Sequence, residues 1–120
     1  LAGRIGFGDH AAFALARLGS NALANGDLRE AEDLQRQALA TAEAAHATWV
    51  GAHARLQLAR IAAVAGDAAA AERLYRQVLE WSRTARPHEA RESLFLALAG
   101  SPATAAELGL AELAGDAALT

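Results

Sequence analysis

The feature that most constrains this chain is an internal repeat with a period of 40 residues. Sliding the sequence by 40 positions aligns residues 12–39 with residues 52–79 and gives 12 identities over 28 positions. Both copies carry a Gly-Asp pair near their middle, Gly26-Asp27 in the first and Gly66-Asp67 in the second. A fixed period of this length is typical of stacked repeat architectures. We therefore expect an all-α fold built from stacked antiparallel helical hairpins.

The repeat and the turn signals divide the chain into about six helices, arranged as three hairpins. The repeat domain is expected to cover residues 9–115, with hairpins at about 9–45, 48–83 and 87–114. Residues 1–8 contain three glycines and are interpreted as the end of a preceding element or a tail, and residues 116–120 as a loose tail.

Helix ends are marked by residues suited to capping. Gly26 and Gly66 tolerate positive φ and are expected to end the first helix of each copy. Helical spacing places Leu18 and Leu58 on an apolar stripe, so both are expected to point inward. Short polar side chains accept hydrogen bonds from the first free N–H groups of a helix, which predicts N-caps at Asp9, Asp27, Thr48 and Asp67.

The third hairpin departs from the pattern of the first two. Ser101-Pro102 replaces the Gly-Asp pair and predicts the N-cap and first residue of the last helix, which is expected to end near Gly115. Glu89 and Glu92 fall where the earlier helices carry inward-facing residues. Either the helix at about 88–99 shifts its register, or it forms a terminal cap with a polar outer face.

Composition argues against several classes of protein. The net charge is −3, so no basic surface for nucleic acid or an anionic membrane is expected. The apolar runs are interrupted too often to span a bilayer. No cysteine is present, which excludes disulfides and thiolate metal sites and is compatible with the cytoplasm. No methionine is present either, which predicts that the chain is a fragment of a longer protein.

The repeat resembles the tetratricopeptide repeat family, whose motif alternates small and large residues across two helices. Tyr75 stands at the motif's aromatic position in the second copy, whereas Gln35 replaces it in the first and is expected to weaken the packing there. The matching motif residues are Leu18-Gly19, Ala22, Gly26, Ala31 and Ala38 in the first copy and Leu58-Ala59, Ala62, Gly66, Ala71 and Val78 in the second. The alanine-, leucine- and arginine-rich texture and the long period are similar to repeat arrays of large bacterial transcriptional regulators.

The resemblance implies a right-handed α-solenoid whose concave face is lined by the first helix of each hairpin. Carried over position by position, the groove that would contact a partner includes Phe13, Arg17 and Ser20 in the first repeat and His53, Gln57 and Arg60 in the second. Phe13 could instead pack inside against the neighbouring hairpin, and Arg60 could simply be solvated.

The chain contains no combination of residues that indicates catalysis. A phosphate-binding glycine loop, a nucleophile elbow and a His-Glu-x-x-His pair are all missing from the sequence, and the histidines are not spaced as a closed metal site. We therefore expect no enzyme, cofactor or metal, but a cytoplasmic, bacterial interaction scaffold. It would bind a protein or peptide, or another domain of the same polypeptide. The alternative is a sensor that holds a small molecule or signalling peptide in the same groove, and self-association through a terminal hairpin is left open.

Overall fold

The computed structural model describes the backbone of residues 2–84 and 102–119 and the side chains of residues 10–84 and 104–115. In these residues α-helices are the only regular secondary structure, which confirms the all-α prediction for this part of the chain. The helix predicted at about 88–99 lies outside the described residues. The helices are α1 (Ala2–Ala24), α2 (Leu28–Ala44), α3 (Thr48–Val64), α4 (Ala68–Thr84) and α5 (Pro102–Leu119).

Three turns of one geometry connect the first four helices. Each places one residue at positive φ, namely Gly26 at 83°, His46 at 56° and Gly66 at 89°. The N–H of the following residue then donates back across the turn, from Asp27 to Ala22, from Ala47 to Ala42 and from Asp67 to Ala62, at 2.9, 2.8 and 2.8 Å. This is the Schellman arrangement, which satisfies the last carbonyls of a helix. The turns recur at residues 26, 46 and 66, which is half the period of the sequence repeat.

The two aspartates that follow the glycines cap the next helix, as predicted. The Asp27 carboxylate accepts a hydrogen bond from the Glu30 N–H at 3.2 Å. The Asp67 carboxylate accepts one from the Ala70 N–H at 3.1 Å. Each cap satisfies a donor that the helix itself leaves free.

Two other predicted N-caps are wrong. Asp9 lies inside α1, which begins at Ala2, so the N–H groups around it bond to the preceding helical turn. Thr48 is the first residue of α3, because the turn geometry places the capping position at Ala47, one residue earlier. Pro102 begins α5 as expected, but that helix runs past Gly115 to Leu119.

The helices pack as a bundle in which each contacts the next. In addition, α1 contacts α3, and α3 contacts α5. The core is built largely from alanine: Ala16, Ala38 and Ala54 form one fully buried cluster shared by α1, α2 and α3. Small side chains let helices approach closely, so the stability is spread over many short contacts.

Residues of one stripe, at equivalent positions of the repeat, are exposed in α1 and buried in α3. Leu58 is 7% exposed, whereas its repeat equivalent Leu18 is 54% exposed, so the expectation that Leu18 points inward is wrong. In α3 the stripe packs against α2, while within the described residues no helix covers the corresponding side of α1. The exposed α1 stripe is His10, Ala14, Arg17, Leu18 and Asn21, and the buried α3 stripe is Val50, Ala54, Gln57, Leu58 and Ile61.

Gln35 is fully buried at the position where the second copy has Tyr75. Its Nε2 donates to the Ala16 carbonyl at 2.9 Å, while its Oε1 is buried without a donor. A Cβ at Gly19 would come within 2.6 Å of Nε2, so the glycine makes room for the amide. A buried unpaired acceptor costs about 1–3 kcal/mol, so the expected weakening at this position would come from the unsatisfied oxygen.

Candidate binding surface

Three of the predicted groove residues lie on one face of α1. The Phe13 ring is partly buried, with its centroid 5.8 Å from that of Trp49 and an angle of 44° between the ring planes. Ser20 is partly buried and donates from Oγ to the Ala16 carbonyl at 3.0 Å. Arg17 is exposed. Phe13 therefore takes part in the packing of α1 on α3, and Arg17 presents its guanidinium to solvent.

The other three residues lie at the equivalent positions of α3. His53 is partly buried and Arg60 is exposed, while Gln57 is 6% exposed and belongs to the stripe that packs against α2. Burial, together with the positive charge of Arg60, lowers the pKa of His53 below its ordinary value of 6.5. The imidazole is therefore neutral near pH 7 and offers one donor and one acceptor.

Arg60 also faces a second titratable group. Burial raises the pKa of the Tyr75 phenol, the Arg60 charge lowers it, and the Glu112 charge raises it. Charges of both signs, one from α3 and one from α5, thus lie near the same phenol. Glu112 is absent from the residues expected from the sequence, because the register of α5 against α3 could not be deduced from a degenerate third repeat.

The two helices that carry these residues, α1 and α3, contact each other. Phe13 and Ser20 are the repeat equivalents of His53 and Arg60, so the four positions share one face of their helices. Since α3 also contacts α5, the surface continues towards Glu112. We call the face formed by Phe13, Arg17, Ser20, His53, Arg60 and Glu112 the odd-helix row. Gln57 is buried against α2 and is not part of it.

No protein-family model, curated protein sequence or solved structure matches this chain. The resemblance to tetratricopeptide repeats therefore stays a prediction.

Three of the depressions in the described part of the chain have linings that include none of the six predicted groove residues. One of about 570 Å³ lies on the outer face of α4, beside Glu72 and Arg76. Another of about 260 Å³ lies between α2, α3 and α4, next to Leu39, Leu58 and Ile61. The third, of about 320 Å³, lies at the turn between α2 and α3.

The described residues contain no group of three or more His, Asp or Glu side chains that could hold a metal ion. The Glu32–Arg36 and Glu72–Arg76 pairs form ion pairs at 2.9 Å, with all four side chains exposed to solvent. Exposed pairs of this kind contribute a few tenths of a kcal/mol to helix stability. In the described part of the chain, no helix combines the length and apolar character needed to cross a membrane.

Proposed function

We propose that the chain is a right-handed stack of antiparallel helical hairpins of the tetratricopeptide type that acts as an interaction scaffold. It binds a segment of a partner protein along the odd-helix row and performs no catalysis. The observation that carries this proposal is the order of neighbours, because α1, α3 and α5 contact one another in sequence. A continuous row of first helices is the surface that such stacks use for recognition.

The stacking itself is supported by contacts that occur twice. α5 contacts α4 and α3, just as α3 contacts α2 and α1. The tight turns at Gly26 and Gly66 leave only three residues between long helices that contact each other, which favours an antiparallel arrangement of each pair. In this arrangement α5 corresponds to the first helix of a hairpin, whereas the sequence predicted it as the second helix of the third hairpin.

The chemistry of the row favours a polar segment with an acidic residue. The exposed Arg60 has no carboxylate within 4 Å among the described side chains, and a guanidinium binds a carboxylate through two parallel hydrogen bonds. The neutral His53 adds a donor and an acceptor, and Glu112 favours a basic group further along the segment. We propose that this segment belongs to a partner protein or to another domain of the same polypeptide, in a cytoplasmic bacterial transcriptional regulator.

The alternative, a sensor that encloses its ligand in the same groove, requires a cavity with convergent polar groups. Arg17 and Arg60 are exposed. An open surface is what a scaffold needs, so their exposure favours the scaffold.

The proposal is tested by selecting binding peptides from a random displayed library on the 120-residue chain. We expect the selected peptides to carry an acidic residue and to lose about tenfold or more in affinity on Arg60→Ala, since a charge-assisted hydrogen bond is worth about 1.5–3 kcal/mol. Arg76→Ala on α4 is the matched control and should leave the affinity unchanged. Peptides that bind equally well to both variants, or no selected peptides at all, would overturn the proposal.

A further inference from the structure

The turn between α2 and α3 has the same geometry as the other two turns but different residues. The other two place glycine at positive φ and aspartate at the cap, whereas this turn has His46 and Ala47. A residue with a Cβ costs about 1–2 kcal/mol in this conformation. Ala47 has no side chain that can accept a hydrogen bond, so α3 starts without a side-chain cap. Both departures from the chain's own pattern occur at one point.

A cavity of about 320 Å³ lies at this point, between the end of α2, the start of α3 and the end of α4. Trp81 lines it, and the indole Nε1 of this residue is buried without an acceptor. Arg55 also lines it, with Nη2 3.3 Å from Glu43 Oε2. The complete lining is Ala42, Glu43, His46, Ala47, Thr48, Gly51, Arg55 and Trp81.

Two side chains that line the cavity are donors, one without a partner and one with a single contact. The indole Nε1–H has no acceptor, and a buried unmade hydrogen bond costs about 1–3 kcal/mol. The guanidinium of Arg55 has only one contact to Glu43, through a single nitrogen. The start of α3, which no side chain caps, adds the positive end of a helix dipole. A ligand oxygen with negative charge would complement these groups.

We propose that this cavity binds a small molecule through a carboxylate or phosphate group, with Arg55 and the Trp81 indole N–H as its donors. A volume of about 320 Å³ lies at the small end of the range for ligand pockets, which matches a small ligand. None of the residues that line the cavity belongs to the odd-helix row. The inference is therefore independent of the proposed function.

Glu43 has a defined role in this site. Its carboxylate holds Arg55 when no ligand is bound, and the Glu43 side chain is largely exposed. An exposed, single-contact ion pair is worth less than about 1 kcal/mol, so a ligand oxyanion can replace it. Glu43 therefore competes with the ligand, and removing its charge strengthens binding, whereas removing the charge of Arg55 weakens it.

The test is a titration of the ¹⁵N-labelled chain, monitored by its amide and indole N–H signals, in separate arms with inorganic phosphate and with benzoate at constant ionic strength. The sequence contains two tryptophans, so only two indole signals arise, and Trp81→Phe assigns them. We expect saturable shifts of the Trp81 indole and of the Thr48 and Trp49 amides in at least one arm. The responding arm tells whether the site prefers phosphate or carboxylate.

The variants make the test specific. Arg55→Gln is expected to weaken binding about tenfold or more, by the loss of a charged donor worth about 1.5–3 kcal/mol, and Glu43→Gln to tighten it. Arg36→Gln, the same change on the exposed face of α2, should have no effect. The proposal is overturned if neither probe shifts the Trp81 indole saturably, or if Glu43→Gln fails to tighten binding. Equal losses in Arg55→Gln and Arg36→Gln would also overturn it.

Discussion

His46 shows how a single residue can hold a turn in an unfavourable conformation. Its φ of 56° lies in the left-handed region that Gly26 and Gly66 occupy in the equivalent turns. The side chain is exposed, so its loss removes no buried contact. The backbone alone therefore decides the effect of a glycine at this position.

We predict that His46→Gly raises the free energy of unfolding by about 1 kcal/mol, because glycine adopts positive φ without a steric penalty. Gly26→Ala, the reverse type of change in an equivalent turn, should lower it by a similar amount. Urea unfolding followed by circular dichroism measures both. A destabilised His46→Gly variant would mean that the imidazole makes a contribution the turn geometry does not reveal.

His53 gives the fold a dependence on pH. Its pKa is lowered in the folded chain by burial and by Arg60, so the unfolded chain binds the proton more tightly. The stability that comes from the neutral imidazole is complete above about pH 6.5, the unfolded value, and is lost as the pH falls through and below it. We predict that His53→Gln reduces the loss of stability between about pH 7.5 and pH 5.5.

Urea unfolding at the two pH values is the measurement. His10→Gln, at an exposed histidine of α1, is the matched control and should leave the pH dependence as it is. Arg60→Gln should reduce the dependence in part, since it removes the repulsion but not the burial. An unchanged pH dependence in His53→Gln would show that another group is responsible.

At the scale of helices, the position of α5 depends on one glycine. A Cβ at Gly109 would lie within 2.6 Å of Cε1 of the buried Tyr75 ring, so α4 and α5 approach closely only because no side chain is present. Gly115 lies in the same helix, and nothing is within 4 Å of the equivalent position there. The two glycines differ in packing and not in helix propensity.

We predict opposite effects of one substitution at these two sites. Gly109→Ala should lower the free energy of unfolding by about 1–3 kcal/mol through overpacking against the Tyr75 ring. Gly115→Ala should raise it by up to about 1 kcal/mol through helix propensity. Thermal unfolding of the two variants provides the measurement. If both were stabilised, α5 would not be seated on Tyr75.

The sequence predicts some helices much better than others, for a physical reason. The starts of α2 and α4 follow from Asp27 and Asp67, because an aspartate after a positive-φ glycine has one local role. The start of α1 could not be predicted in the same way, since Asp9 has the capping chemistry but lies within a longer helix. The burial of Leu18 depends on whether another helix covers α1, and no local pattern records this.

The candidate binding surface also combines residues that local patterns predict with residues that depend on how the helices pack. Helical spacing puts Phe13 and Ser20 on one face, and the repeat puts His53 and Arg60 at equivalent positions. The contribution of Glu112 requires the register of α5 against α3, and the cavity at Trp81 requires the ends of three helices to meet. Such sites depend on residues far apart in the sequence. The cavity has one local signal in the sequence, the turn at His46-Ala47 that lacks glycine.

For the molecule as a whole, the odd-helix row requires that the two copies are one hairpin repeated by a regular superhelical step. If so, α2 and α4 run in the same direction, and equivalent positions stay at similar distances along both helices. Neighbouring helix axes lie about 8–10 Å apart, so two helices with one between them lie roughly 20 Å apart. Because the chain has no cysteine, label sites can be introduced freely.

The most direct measurement is pulsed electron spin resonance on three doubly spin-labelled variants, with cysteines at exposed positions 40 residues apart. The pairs are Arg29 with Ala69, Gln37 with Gln77, and Ala40 with Glu80. We predict three narrow distances that all lie near the interhelix spacing of roughly 20 Å. A distance far from it at one end of the helices, as oppositely directed α2 and α4 would give, or broad distances for all three pairs, would contradict the repeated hairpin and with it the odd-helix row.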